Sequence, residues 1–330
     1  MILSQSDSEV VGIDISKDRF DVCFGSHHAR YDYSPAGMEE FLSDTSAWSE
    51  ARFVMEATGN YFYKLALFLV EAGRQTFVVN PLRVHRYAQS CLQRHKTDKA
   101  DAKLIRDFAV ANHDKMTHWT PEPDSIAALR QLRTLRTQLE KTATVYSNQL
   151  HALSHLPKAK QSKSAVAICK RMIAETEKQI AAVYTQMHEL LDDELRKNYD
   201  LLDSIQGIGK ESAMTLLILT GNFAKFRSAK AFADYIGIAP THRQSGTSVQ
   251  GKGAISKMGD ARARQVLYMA AMSAKTHNPA CREFYARLRQ TGHAHKQAVI
   301  AVANKLIRQA FAVIRHQTPF QPKLSQPLTT

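Results

Sequence analysis

EVVGIDISKDRFDVCFGSHHARYDYS, residues 9–34, is the stretch on which the fold turns. Within it EVVGIDIS (9–16), RFDVCFG (19–25) and HARYDYS (28–34) are rich in β-branched and aromatic residues and are separated by short polar or glycine-bearing breaks. Three short strands joined by tight turns, an antiparallel meander, are predicted.

Downstream the pattern changes to alternation of helix and strand. A helix-like GMEEFLSDTSAW (37–48) precedes a strand in ARFVMEA (51–57), a helix in NYFYKLALFLVEAG (60–73) and a strand in QTFVVN (75–80) closed by Pro81. The helical KADAKLIRDFAVAN (99–112) comes last. An antiparallel meander followed by α/β crossovers is the order of an α/β RNase H-like domain, placed at residues 1–120, rather than of a doubly wound nucleotide-binding fold. No GxGxxG or Walker loop follows any strand.

Beyond Pro121 and Pro123 the chain reads as helical. Residues 124–156 carry Leu132, Leu135, Leu139, Ala143, Tyr146, Leu150 and Leu153, and a second helix carries Val166, Cys169, Ile173, Thr176, Ile180, Val183, Met187 and Leu190. Spacings of three and four mark a coiled-coil seam. With LPKAKQSKS (156–164) as the turn, residues 121–198 are expected to form a helical hairpin, closed on itself or paired with a partner. LLDSIQGIGKESAMTLL (201–217) puts Gly207 and Gly209 between two helical segments, the helix-hairpin-helix pattern that offers backbone N–H groups, here with Lys210, to a phosphate. A tight interhelical turn is the plainer reading. Three further helical stretches, at 261–276, 279–290 and 295–316, complete a mainly α region at 199–316, and a proline-rich tail occupies 317–330.

Charge is distributed unevenly. The formal net charge is +13, and residues 221–330 alone carry 17 Lys and Arg against three Asp and Glu. Such depletion of acids points to a polyanion-binding surface, with Arg262 and Arg264 among the candidates. The N-terminus lacks a signal-peptide pattern, and the apolar run LALFLV (65–70) is too short to cross a bilayer, so a soluble cytoplasmic protein with no membrane partner is expected. Cys23, Cys91, Cys169 and Cys281 show neither zinc spacing nor a disulfide framework.

Two groups of residues carry chemistry. Asp14 ends the first strand and Glu56 the fourth, neighbours in such a sheet, while Asp98 and Asp101 lie three apart at a helix start. Each alone also suits a turn or an N-cap. Four together, in this chain order, form a set of hard oxygen donors for Mg²⁺ or Mn²⁺. The second group is the polar loop RQSGTSVQGKGAISK (243–257), which gathers hydroxyls, glycines and positive charge with no acid. Ser245, Thr247 and Ser248, flanked by Arg243, Lys252 and Lys257, suit either holding a phosphate or attacking one.

GIDIS (12–16), MEATGNY (55–61), KTDKADAKLI (96–105), IQGIGKESAMTLL (205–217), FADYIGIAPTHRQSGTSVQGKG (232–253) and LYMAAMSAKTHNP (267–279) together resemble the DEDD transposases of bacterial insertion sequences. The resemblance runs from about residue 9 to 316, and pilin-gene DNA invertases are close relatives of that family. It implies a RuvC-like domain with an acidic tetrad at Asp14, Glu56, Asp98 and Asp101, and a catalytic serine at Ser245 that forms a 5′-phosphoserine link to DNA. It further implies an element-encoded guide (bridge) RNA, DNA at the element ends and target, and a homodimer or homotetramer in which both sites form one composite centre. A protein-guided invertase and a RuvC-like nuclease without a serine nucleophile are the competing expectations. A non-enzymatic nucleic-acid-binding protein would not need four converging acids.

Overall fold

The computed structural model describes residues 10–91, 98–241, 244–245, 249–250, 254–256 and 259–322. It divides into two compact units, Met1–Pro121 and Glu122–Thr330.

The first unit is built on five strands, β1 (Val10–Ile15), β2 (Arg19–Phe24), β3 (His27–Asp32), β4 (Arg52–Glu56) and β5 (Gln75–Val79), in the spatial order β3-β2-β1-β4-β5. The first three pair antiparallel, as the meander predicts, and β4 and β5 run parallel to β1. Side-chain alternation sorts the two faces. Ile13, Phe20, Val22, Phe53 and Met55 point one way, into a cluster with Met38 and Phe41 of α1 (Pro35–Asp44) and Leu65 and Leu69 of α2 (Tyr61–Glu71). Val10, Val54, Phe77 and Val79 point the other way, against Val84 of α3 (Pro81–Ser90) and Ile105, Phe108 and Ala109 of α4 (Asp98–Ala111). The sheet is therefore covered on both faces.

Helix α3 is absent from the sequence reading, which took Pro81 only as the end of a strand. Pro81 also starts a helix: its fixed φ suits the first helical position, and the Asn80 side chain accepts the Leu82 N–H at 2.8 Å as N-cap.

The second unit is mostly helical. Helices α5 (Asp124–Ser154) and α6 (Lys163–Glu189) are long, joined by a short connection and packed against each other. Cys169, Thr176, Val183 and Met187 are buried as the spacing predicts. Two stripe positions differ: Leu135 is 48% exposed and Leu190 36%. Arg136 occupies the place expected for Leu135. Its guanidinium lies over the Tyr184 ring, 5.2 Å from the centroid. A charged residue in an apolar seam is invisible to a count of apolar spacing.

Next come α7 (Asp193–Asp203), α8 (Lys210–Thr220) and α9 (Ala229–Ile236). Every residue of α8 from Ser212 to Thr220 is buried, so this helix forms the axis of the core. Four two-residue strands follow, β6 (Pro240–Thr241), β7 (Gln244–Ser245), β8 (Val249–Gln250) and β9 (Ala254–Ile255). The chain ends in α10 (Ala261–His277), α11 (Pro279–Gln290) and α12 (His295–His316). Among the described residues α12 alone is long and apolar enough to cross a membrane by length and composition. Its Val299, Val302, Leu306, Ile307 and Ala310 are instead buried in the core with Leu216, Leu217 and Phe232.

Candidate active site

In the first unit Asp14 and Glu56 lie at the carboxyl edge of the sheet, on neighbouring strands. Parallel pairing of Ile13 with Met55 sets Asp14 of β1 beside Glu56 of β4. Strand periodicity turns Asp14 toward the face that Gly12 presents and Glu56 toward the face of Val54, and both of these are covered by α4. The crossing at Gly12 is close. A Cβ there would strike the Ala102 carbonyl oxygen and lie 2.6 Å from the Arg106 nitrogen. Helix α4 runs back along the sheet from this point, with Ile105 and Ala109 against Val10, so its first turn, opening at Asp98 and including Asp101, lies toward the edge where Asp14 and Glu56 end. Thr58 Oγ1 donates to Glu56 Oε1 at 2.8 Å and orients that carboxylate. The side chain of Asp98 lies outside the described residues.

A further carboxylate on the same face escaped the sequence reading. Asp21 of β2 is the register partner of Asp14 and is 3% exposed. Arg30 of β3, directly opposite Asp21, donates from Nε to both its oxygens at 3.1 and 3.2 Å. His28 Nε2 stands 3.0 Å from Asp21 Oδ1, without the angle of a hydrogen bond. Alternation along RFDVCF sets Asp21 on the face opposite Phe20 and Val22, the face a sequence reading gives to solvent, so no local signal marked it as buried.

In the second unit the described residues of the polar loop form two short antiparallel pairs. β6 pairs with β9, and inside them β7 pairs with β8, Ser245 opposite Val249. Ser245 is thus the last residue of β7 before the connection that holds Thr247 and Ser248, which lie outside the described residues, as do His242, Arg243, Lys252 and Lys257. The root of the loop is firmly held. Asn304 Nδ2 donates to Ile238 O, and Arg264 Nη1 donates to Ile236 O at 2.9 Å and Gly259 O at 3.2 Å. Asp260 caps α10 through the Ala263 N–H at 2.9 Å and pairs with Arg133 at 2.8 Å. Burial opposes ionisation of Asp260, but the Ala263 N–H bond and Arg133 together hold its carboxyl below the usual range.

Gly259 fixes this root. Its φ is +93°, and a Cβ would overlap the Tyr235 carbonyl oxygen. Gly259→Ala is expected to cost the second unit about 2 kcal/mol, read as a lowered denaturant midpoint. Gly73→Ala, at a φ of +73° with open space around it, costs only the backbone strain in the other unit and serves as the comparison.

The basic candidates divide. Lys210 is exposed at the start of α8, just after Gly209, its N-cap, and Gly207 has a φ of +105° and packs against Ala274 of α10. Arg262 pairs with Glu140 at 2.6 Å and Glu211 at 3.7 Å, and Arg264 holds the two carbonyls named above. Both serve the internal architecture. The hundred-residue charge count also concealed a basic segment at the far end of the α5–α6 pair. Residues 141–174 contain no acid, and Lys141, Lys158, Lys160, Lys163, Lys170 and Arg171 are all exposed.

Two family models match the chain. A family model described as a transposase matches residues 11–157, and one described as "Transposase IS116/IS110/IS902 family" matches residues 199–286. A pilin gene-inverting protein of Moraxella bovis is 31% identical over 96% of this chain and 98% of its own length. The chain belongs to the IS116/IS110/IS902 transposase family. The transposase for insertion sequence element IS1111A of Coxiella burnetii is 23% identical over 96% of this chain and 93% of its own. Members of the family cut and rejoin DNA.

The first family model carries the designation DEDD, which goes with use of a divalent metal. Among the described residues no three His, Cys, Asp or Glu side chains form a ready-made cage. The donor set of this transposase nevertheless fits the chemistry. Asp14, Glu56 and Asp101 offer only carboxylate oxygens, the ligands of a hard cation such as Mg²⁺, from three elements that meet at one sheet edge.

Proposed function

We propose that this transposase is the site-specific recombinase of a bacterial insertion sequence, excising the element and inserting it at a target chosen by an element-encoded guide RNA. The observation that carries the reading is Ser245 at the end of β7, in a loop whose flanking residues Ile236, Ile238 and Gly259 are held by Arg264 and Asn304, in a chain related along nearly its whole length to a protein named for inverting a gene. Ser245 Oγ attacks a DNA phosphorus and gives up its proton to a base. The P–O3′ bond breaks, the 3′ oxygen leaves, and the 5′ phosphate stays on the serine. Asp14, Glu56, Asp98 and Asp101 hold Mg²⁺ or Mn²⁺, which supplies charge neutralisation at the reacting phosphate. Thr58 steadies the Glu56 carboxylate as a ligand.

The remaining surfaces bind and assemble. We read the α7–α8 turn as a helix-hairpin-helix that takes a backbone phosphate on Gly207, Gly209 and Lys210, with Arg243, Lys252 and Lys257 gripping DNA beside Ser245. The exposed Arg282, Arg287, Arg289, Lys296, Arg308 and Arg315 extend the polyanion surface over α11 and α12. The α5–α6 pair forms a coiled coil that joins copies into a dimer or tetramer, and the protein works in the cytoplasm on nucleoid DNA.

The test is a denaturing gel of the protein incubated with junction DNA, target DNA and Mg²⁺, with and without RNase. A denaturation-resistant adduct that disappears with RNase is expected. The similarity to the Moraxella bovis protein favours a second reading, a protein-guided DNA invertase, and an adduct that survives RNase would establish it. Cutting with no adduct would reduce the enzyme to a RuvC-like nuclease.

A further inference from the structure

Helix α5 ends in HALSH, residues 151–155. A spacing of four sets His151 and His155 one turn apart on the same face of the helix. Both side chains are exposed, and the two rings meet edge to face, with centroids 4.5 Å apart and planes at 77°. Their Nε2 atoms approach to 3.3 Å, closer than the ring centres, so the rings lean together at their nitrogen ends.

That separation has a chemical meaning. Two nitrogens bound at about 2.05 Å to one tetrahedral ion stand about 3.3 Å apart. The pair is therefore spaced to share an ion through Nε2 with little movement. Without an ion, the same contact is an N–H···N hydrogen bond in which one neutral imidazole donates and the other accepts. Binding needs both Nε2 lone pairs, so the donating ring changes tautomer, its proton going to Nδ1 by exchange with water, and no net proton is released.

The backbone around the pair is held. His155 is the C-cap of α5, its N–H donating to the Ala152 carbonyl oxygen at 3.3 Å. Ser154 Oγ donates to the His151 carbonyl oxygen at 2.6 Å, and Gln161 Nε2 reaches back to that of Leu156 at 2.7 Å. A helix C-terminus also carries partial negative charge, which favours a cation over the last turn. The six exposed Lys and Arg of residues 141–174 act in the opposite sense and repel ions held by charge alone. Coordination by neutral imidazole has to overcome that repulsion, which suits Zn²⁺, Ni²⁺ or Cu²⁺ and disfavours Mg²⁺.

We propose that His151 and His155 form a site for a transition-metal ion of the Zn²⁺ class at the end of α5, with water in the remaining positions. It differs in ligand type and in ion from the carboxylate set of the first unit, and it does not depend on the proposed recombination. A bound ion links the two ends of the last turn and staples the helix where the chain turns toward α6.

Equilibrium dialysis of Zn²⁺ against the purified full-length protein, in excess Mg²⁺, tests this without reference to DNA. Each variant is compared with wild type, so ions held on carboxylates or cysteines cancel. His151→Ala, His155→Ala and the double variant are expected to lose the same single ion per chain, its affinity falling about a hundredfold because one imidazole lacks the second ligand on the same helix. His316→Ala removes a histidine in the last turn of α12 with Ala312 four residues before it, and is expected to bind Zn²⁺ as wild type does. Wild-type binding in either single variant overturns the proposal. So do single losses that sum in the double variant, which would mean two separate imidazoles, and an equal loss in His316→Ala, which would mean unspecific surface binding. Should alanine disturb the helix end, seen as lost helical circular dichroism, His151→Gln and His155→Gln decide by the same comparison.

Discussion

Ser245→Ala protein is expected to leave no denaturation-resistant protein–DNA product while still retaining DNA. The substitution removes one hydroxyl at the end of β7, where pairing with Val249 runs through backbone groups, so the pair keeps its register. The root of the loop is held by Arg264, Asn304 and the capped Asp260, through bonds in which the serine takes no part. Loss of a covalent nucleophile leaves no alternative route to the same intermediate, and a drop of at least about 10⁴-fold in adduct formation is expected. Filter binding at two salt concentrations should give the wild-type affinity and slope, because phosphate contacts are unaltered. Persistent adduct in the alanine variant would move the nucleophile to Thr247 or Ser248, and loss of binding together with adduct would show that the serine holds the loop rather than attacks from it.

Gly12→Ala should be the most damaging single methyl in the first unit. The added carbon meets backbone atoms of α4, the Ala102 carbonyl oxygen and the Arg106 nitrogen at 2.6 Å, and these cannot rotate away as a side-chain tip would. Either β1 or α4 must shift, at a cost of about 3 kcal/mol, visible as a lowered denaturant midpoint for that unit. The consequence for chemistry is larger than the loss of stability. Because α4 bears Asp98 and Asp101 one turn away from the crossing, lifting it misaligns two members of the acidic set against Asp14 and Glu56. A displacement of about 1 Å costs on the order of 100-fold in rate. Gly25→Ala, in the β2–β3 turn, is the matched control: its φ is +54° but a Cβ meets nothing within 4 Å, so roughly 1 kcal/mol of strain and normal cleavage are expected. Equal damage from the two would mean that backbone conformation, not the helix crossing, is what matters at Gly12.

Much of the architecture was legible because the relevant signals are local. The strands of residues 9–34 declare themselves by β-branched and aromatic content, and the helices over 279–290 and 295–316 begin and end where the sequence places them. What was missed depends on contacts between elements. Helix α3 was hidden by a proline with two uses, and Arg136 by a charge standing in an apolar seam. The nested strands around Ser245 are two residues each, too short for alternation to register. Asp14 and Glu56 were identifiable as neighbours because adjacent strands bring their ends together. The pairing of Asp21 with Arg30 needed the register, which a sequence does not state. Arg262 and Arg264 were assigned from charge alone, and their carboxylate and carbonyl partners come from segments far away in the chain.

The separation of the cores has a genetic consequence. The apolar clusters of the first unit draw on residues 10 to 119, and the cluster of the second draws on 126 to 320, with none shared. A crossover between two elements at the codons for Pro121 to Pro123 would therefore pass on each hydrophobic interior intact, and would shuffle the carboxylate half of one lineage with the serine half of another.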